Sequence, residues 1–303
     1  MNPLWGIDLG GTKIEGVVIE SKDNPNVLAR MRVPTEQQGG YGHIIQQISK
    51  LIGMLEQETG LRPERVGMGT PGTLDPATQL MKNCNTTSLN NQPLRKDLET
   101  QLGIPFTLAN DANCFAVAEA RFGAAHEVAP NATVVFGVIL GTGVGGGLVV
   151  NGKAINGKQG IAGEWGHNFL DESGGRCYCG KIGCVETIIS GPALERHYQS
   201  LTGTRLKLRE IAERSGHEDA ARQTIQRLTH YFGKAISVII NVLDPDVIVL
   251  GGGVGNIQEL YTEGVEAAKS FVFNTGVKTI DTVFLRPKLG DSAGVFGAAL
   301  LVA

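Results

Sequence analysis

Four side chains that bind soft metals crowd into one stretch of this sequence. Glu164-Trp165-Gly166-His167 is followed closely by Cys177-Tyr178-Cys179-Gly180-Lys181-Ile182-Gly183-Cys184-Val185-Glu186. Cys177, Cys179 and Cys184 with His167 form a Cys₃His set, the composition of a closed, structural zinc site. A short loop containing glycine lets three thiols converge on one ion. A disulfide between neighbouring thiols and a nucleophilic cysteine are the alternatives, and crowding disfavours the second.

Phosphate chemistry is suggested elsewhere. Gly10-Gly11-Thr12 and Gly141-Thr142-Gly143-Val144-Gly145-Gly146-Gly147 each follow an apolar run. Backbone N–H groups in such turns form concavities for phosphate oxygens, and glycine permits the approach. Either turn alone is as well explained by a hairpin; the pair, together with Gly251–Gly255, points to a nucleotide. Gly141–Gly146 also spells G-x-G-x-x-G, a dinucleotide fingerprint when a helix follows. Here Leu148–Val150 reads as a strand, so a nicotinamide-binding fold is excluded. Asp8 ends the first apolar run, where it could hold Mg²⁺ beside phosphates or cap the turn. Asp111, in Asn110-Asp111, stands between a strand and a helix. It could be a helix N-cap or a base that takes a proton from an attacking sugar hydroxyl, and the two roles are compatible.

These residues need elements to hold them. Leu4–Leu9, Ile14–Ile19, Val27–Val33, Val66–Thr70, Phe106–Ala109, Thr133–Leu140, Leu148–Val150 and Asp246–Leu250 read as strands. His43–Gln57 carries Ile44, Ile48, Leu51, Ile52 and Leu55 at helical spacing. Further helices are expected over Pro93–Leu102, from Asn110 to about Gly123, over Asp219–Leu243, after Gly253 and from Ser292. Strand, glycine turn, strand occurs once in each half, which suggests a short internal duplication. The alternation makes an α/β protein, and the hairpins make its sheets mixed.

Composition bounds the rest. Glycine is 42 of 303 residues, about twice the usual ~7 %. A net charge of −3 gives no electrostatic reason for nucleic-acid binding. No apolar run approaches the ~20 residues of a membrane helix, and MNPLWGIDLGGTK lacks a signal peptide's basic and apolar regions. No membrane partner and a cytoplasmic location are therefore expected.

With these residues assembled, the chain resembles the ROK family (repressor, open reading frame, kinase) of the actin/hexokinase-like ATPase superfamily. The carriers are DLGGTKIE at 8–15, LGTGVGGG at 140–147, GEWGH at 163–167, CYCGKIGCVE at 177–186 and VIVLGGG at 247–253. The resemblance implies a two-lobed, ribonuclease H-like fold with helix-flanked mixed sheets and a central cleft. Residues 1–118 plus 290–303 would form the N-terminal lobe and 119–289 the C-terminal lobe. Asp111 would be the catalytic base. Gly72, Asn85, Asn110, Asp111, Glu164, His167 and Glu186 would bind the sugar, with His167 placing its other nitrogen on Zn²⁺ beside Cys177, Cys179 and Cys184. Asp8, Gly10, Gly11, Thr12, Lys13, Gly141, Thr142, Gly143, Gly252 and Gly253 would serve ATP and Mg²⁺. A homodimer is also implied. Family repressors carry an N-terminal helix-turn-helix, for which the seven residues before Asp8 leave no room.

MGTPGTLDPATQLMKN, NQPLRKDL, AGEWGHN and LDPDVIVLGGG most resemble bacterial fructokinases and mannokinases, so fructose is the first expectation. Small side chains at Thr86, Thr87 and Ser88 leave space for an N-acetyl group. N-acetylglucosamine kinase or glucokinase activity is therefore the alternative, and a non-catalytic sugar sensor a distant one.

Overall fold

The computed structural model describes residues 3–273 and 279–303. It divides into two compact units: Met1–Gly123 with Gly147–Gly163 and Leu289–Ala303, and Ala124–Gly146 with Glu164–Lys288. Residues 147–163, placed by the sequence reading in the C-terminal lobe, thus group with the first unit.

In the first unit, β1 (Leu4–Leu9), β2 (Lys13–Ile19) and β3 (Val27–Pro34) form an antiparallel meander. Helix α1 (Gly40–Thr59) leads to β4 (Val66–Thr70), which pairs parallel with β1. The small ribbon β5 (Thr73–Leu74) and β6 (Met81–Lys82) and helix α2 (Leu94–Leu102) precede β7 (Phe106–Asn110), parallel to β4. The sheet order is β3-β2-β1-β4-β7. Helix α1 buries Ile44, Ile48, Leu51, Ile52 and Leu55 against one face, with Trp5, Ile7, Ile14 and Met68 in the same core. It stops at Gly60, whose φ of 69° suits glycine, and the Gly60 N–H donates to the Glu56 carbonyl.

Helix α3 (Asp111–Arg121) continues directly from β7. Across the opposite sheet face runs the chain's last helix, called α10 in chain order (Ala293–Leu300), which packs on β1, β4 and α3. Glycines make this approach possible. A Cβ on Gly67 would lie 1.8 Å from the Ala298 carbonyl oxygen, and one on Gly297 1.8 Å from that of Cys114. Gly6 faces the same helix at 2.5 Å.

Helix α4 (Ala124–Val128) opens the second unit, and the second sheet is ordered β10-β9-β8-β11-β12. Its strands are β8 (Val134–Leu140), β9 (Val144–Val150), β10 (Lys153–Ala154), β11 (Val247–Gly251) and β12 (Val283–Leu285). β8, β11 and β12 run parallel, as β1, β4 and β7 do in the first sheet. The duplication suggested by two short glycine motifs is therefore a repeat of strand order. Helices α5 (Glu186–Ile189), α6 (Gly191–Thr202), α7 (Leu208–Arg214), α8 (Asp219–Leu243) and α9 (Glu263–Lys269) complete this unit.

β9 starts four residues earlier than the sequence reading placed it, because Gly145–Gly147 lie in the strand and not in the turn. At Gly147 the reason is packing: a Cβ there would stand 2.1 Å from the Ala112 carbonyl oxygen. Among the described residues no helix is long and apolar enough to cross a membrane.

Candidate active site

In the first unit the phosphate-loop candidates close on their own backbone. The Gly10 N–H donates to the Lys13 carbonyl at 3.0 Å, so Asp8 is not what caps this turn. Thr35, fully buried at the end of β3, pins the loop from below. Its hydroxyl donates to the Gly10 carbonyl at 2.7 Å and its N–H to the Thr12 carbonyl at 3.0 Å. Nothing in the sequence around Thr35 marks it. Lys13 lies 3.5 Å from Glu15, which Arg30 and Arg32 also engage. Burial alone would raise the Glu15 carboxyl, but hydrogen bonds from Arg32 and Arg30 outweigh it and hold the group below its usual range.

Asp8 is placed differently. Its carboxylate lies between Gly69 of β4 and Gly294 of α10, where a Cβ would come within 3.4 and 2.7 Å of its oxygens. Burial, the Asp111 charge and the Glu15 charge push it up to about 6, against a smaller pull from Lys13. Two carboxylates close enough to repel one another, beside a glycine turn, suit a hard divalent cation with oxygen ligands.

The N-cap of α3 is Asn110, whose side-chain oxygen accepts from the Ala112 N–H at 2.8 Å. Asp111 is the first helical residue, exposed, and also accepts from that N–H at 2.7 Å. The cap role weighed for Asp111 therefore falls mainly to its neighbour. With its oxygen so used, Asn110 keeps its amide nitrogen as a donor. Thr70, which the sequence reading did not single out, gathers this corner. Its hydroxyl lies 2.9 Å from the Gly72 carbonyl and 3.2 Å from that of Ala109. The Asn85 N–H donates to the Pro71 carbonyl at 3.2 Å, and a Cβ on Gly72 would strike the Cys84 sulfur at 2.5 Å. The structure thus brings Gly72, Asn85 and Asn110 to one end of β4 and β7.

In the second unit the Gly141 N–H donates to the Gly143 carbonyl, repeating the closure at Gly10 with a tighter turn. Glu186, first residue of α5, accepts from the Val144 N–H at 3.0 Å. A Cβ on Gly143 would approach that carboxylate to 2.6 Å, so only glycine lets the two meet. Burial raises the Glu164 carboxyl above its usual range, against a pull from His167 and with a smaller push from Glu186. Glu164, His167 and Glu186 therefore stand together. The indole N–H of Trp165 donates to the Gly145 carbonyl at 2.9 Å and fixes this segment on β9.

The ligand atoms of His167, Cys177, Cys179 and Cys184 all lie within 4.8 Å of one another. The Cys179 and Cys184 sulfurs are 3.6 Å apart, and Cys177 Sγ is 3.6 Å from His167 Nδ1. No disulfide links them. Sulfur–sulfur edges of about 3.8 Å follow from ~2.3 Å bonds in a tetrahedral thiolate site, so the donor set fits such a cation. Burial, then Cys179, pushes the Cys184 thiol up to about 12.

Gly141, Thr142 and Gly253 line a cavity of about 970 Å³ with Glu195, Lys207 and Asn256, a volume typical of sites for small molecules. Gly252 adjoins it with a φ of 82°, where a Cβ would meet the Leu140 carbonyl oxygen at 2.2 Å. Glu195 and Lys207, 3.4 Å apart, come from a helical region with no motif to flag it.

A model of the ROK family matches residues 4–303, and the chain belongs to that family. Among curated proteins it is 34 % identical over 310 residues to an N-acetyl-D-glucosamine kinase of Pasteurella multocida, covering 98 % of each chain. A protein of the same description from Mannheimia succiniciproducens is 35 % identical over 310 residues, with the same coverage. The ROK hexokinase structure from Thermus thermophilus superposes with a TM-score of 0.86 at 32 % identity, covering 99 % of this chain and 97 % of that one. A ROK glucokinase from Streptomyces griseus, solved with glucose and AMPPNP, gives 0.76 at 27 % identity, with 99 % of each chain covered. The hexokinase-like α/β fold expected from the motifs, mixed sheets flanked by helices, is shared with these structures.

The Asp8 environment has a measurable consequence. Its carboxyl holds a proton more tightly folded than unfolded, so ionisation at neutral pH costs the fold stability. That cost is absent below the unfolded value near 3.8 and complete above about 6. A shift of this size corresponds to roughly 3 kcal/mol at most. In chelator, Asp8→Asn should therefore melt higher than the wild type at pH 8 and show no such gain at pH 4. Equal differences in melting temperature at both pH values would refute the assignment.

Proposed function

We propose that this sugar kinase transfers the γ-phosphoryl group of ATP to a hydroxyl of N-acetyl-D-glucosamine. The observation that carries the choice of sugar is the full-length similarity, at 34 to 35 % identity, to kinases of that name. It favours this alternative over the fructose suggested by the motif likeness. The small side chains at Thr86, Thr87 and Ser88, beside Asn85, are compatible with an acetamido group.

Phosphoryl transfer passes through a loose transition state, so the protein's task is to position groups and to balance charge. In the first unit, Asp111 takes the proton from the attacking hydroxyl, while Gly72, Asn85 and Asn110 hold sugar hydroxyls. Gly10, Gly11, Thr12 and Lys13 border the phosphates. Asp8 would hold Mg²⁺, which supplies charge neutralisation at the phosphate oxygens when bound. In the second unit, Gly141, Thr142 and Gly143 offer a second phosphate turn, Gly252 and Gly253 border the adenosine side, and the 970 Å³ cavity accepts the nucleotide. Glu164, His167 and Glu186 hold further sugar hydroxyls. Such contacts discriminate because a sugar lacking a partner leaves a buried group unpaired.

The reading is tested by coupled ADP release with N-acetylglucosamine, fructose, mannose, glucose and N-acetylmannosamine. N-acetylglucosamine should give the highest kcat/KM. A tenfold advantage for fructose would overturn the substrate but leave the kinase. In the same assay Asp111→Asn should lose ~10²–10⁴ in kcat; retention of a tenth of the activity would remove Asp111 from the role of base.

The Cys₃His set is proposed to hold one structural Zn²⁺, with Nδ1 of His167 as the nitrogen ligand. Elemental analysis should find one zinc per chain, and chelation should lower both melting temperature and activity. Fully active protein without zinc would rule out the coupling between metal and sugar site.

A further inference from the structure

Tyr178 lies between the first two cysteines of the metal loop and has no part in the chemistry derived so far. Its side chain is 76 % exposed, among the most exposed of the large apolar or aromatic groups described. An aromatic ring so placed normally drifts in solvent. This one is held: its hydroxyl lies 3.0 Å from Nε2 of His167, and the two rings meet edge to face with centroids 5.2 Å apart. The phenol also stands near enough to Glu186 and Glu164 to feel their charges. Tyr178 therefore sits among the side chains assigned to the sugar, against the nitrogen that the sugar needs.

The two nitrogens of His167 have different neighbours. Nδ1 faces Cys177 Sγ at 3.6 Å, the side on which the proposed cation would be held. A neutral ring that gives Nδ1 to a cation carries its proton on Nε2, which then donates. One N–H directs itself at one acceptor. We propose that Tyr178 is a displaceable occupant of the sugar site, its hydroxyl accepting from Nε2 of His167 until a sugar hydroxyl replaces it. This inference rests on the reading of Glu164, His167 and Glu186 as sugar ligands. Binding then requires the Tyr178 contact to break. The apparent affinity for sugar is reduced by the fraction of molecules in which Nε2 is uncovered. Because the ring is exposed, it can swing out through solvent without unpacking the core, whereas His167 stays fixed by its loop.

Tyr178→Phe keeps the ring and deletes the acceptor. With the sugar that gives the highest kcat/KM, it should lower KM by about 2- to 10-fold, the size of one net hydrogen bond. Values of kcat and of KM for ATP should not change. Calorimetric binding of the same sugar without ATP should tighten by the same factor. An unchanged or increased KM would overturn the inference; an increase would make Tyr178 a sugar contact. Glu164→Gln is the companion variant. If it raises KM for the sugar while Tyr178→Phe has no effect, only the present inference fails. If Glu164→Gln also has no effect, the sugar-site reading fails with it. Melting temperatures of both variants, measured alongside, confirm that folded protein is compared.

Discussion

The first unit depends on how closely α10 approaches the sheet. Gly6 on β1 and Gly67 on β4 leave no side chain between strand and helix, and Gly297 lets α10 settle on the backbone of α3. Any Cβ at these points would overlap a carbonyl oxygen or amide nitrogen, so the contact is set by backbone and not by adjustable side chains. Two of the candidate site's carboxylates inherit their positions from it. Asp8 is enclosed by Gly69 and Gly294, and α3, which begins with Asp111, is seated against α10. The crowding that raises the proton affinity of Asp8 therefore has the same origin as the packing. Compactness and an uncomfortable carboxylate come together here.

The second unit secures its groups by another route. Its glycine turn, β9 and the metal loop are joined by single directed bonds: Glu186 to the Val144 N–H, Trp165 to the Gly145 carbonyl. Buried polar bonds of this kind are costly to leave unmade, so they specify one arrangement of otherwise irregular segments. Little regular structure lies between β10 and α5, yet Glu164, His167 and Glu186 converge.

Much of this was legible in the residues. The strands around each glycine turn, the amphipathic α1 and the long α8 follow from periodicity, and the Cys₃His set from residue type and spacing alone. The strand run of Gly145–Gly147 was read as a turn because glycine composition cannot distinguish a bend from a close approach; only the presence of Ala112 across the gap does. Asn110 and Asp111 are both good caps, and residue type alone does not choose between them. Thr35, Thr70, Glu195 and Lys207 were invisible for a simpler reason. They act through backbone carbonyls or across a loop, and nothing in their immediate neighbours announces those partners. The sugar itself is written in no single side chain, and full-length similarity carries information there that local chemistry does not.

Glu186 carries a consequence for how such a protein can change. One oxygen of its carboxylate is bonded to the backbone that follows the second glycine turn, and the same group stands beside Glu164. A replacement at this position would also loosen the turn that Gly143 shapes around it. On the proposed reading of Glu186 as a sugar ligand, the two tasks cannot be altered independently there.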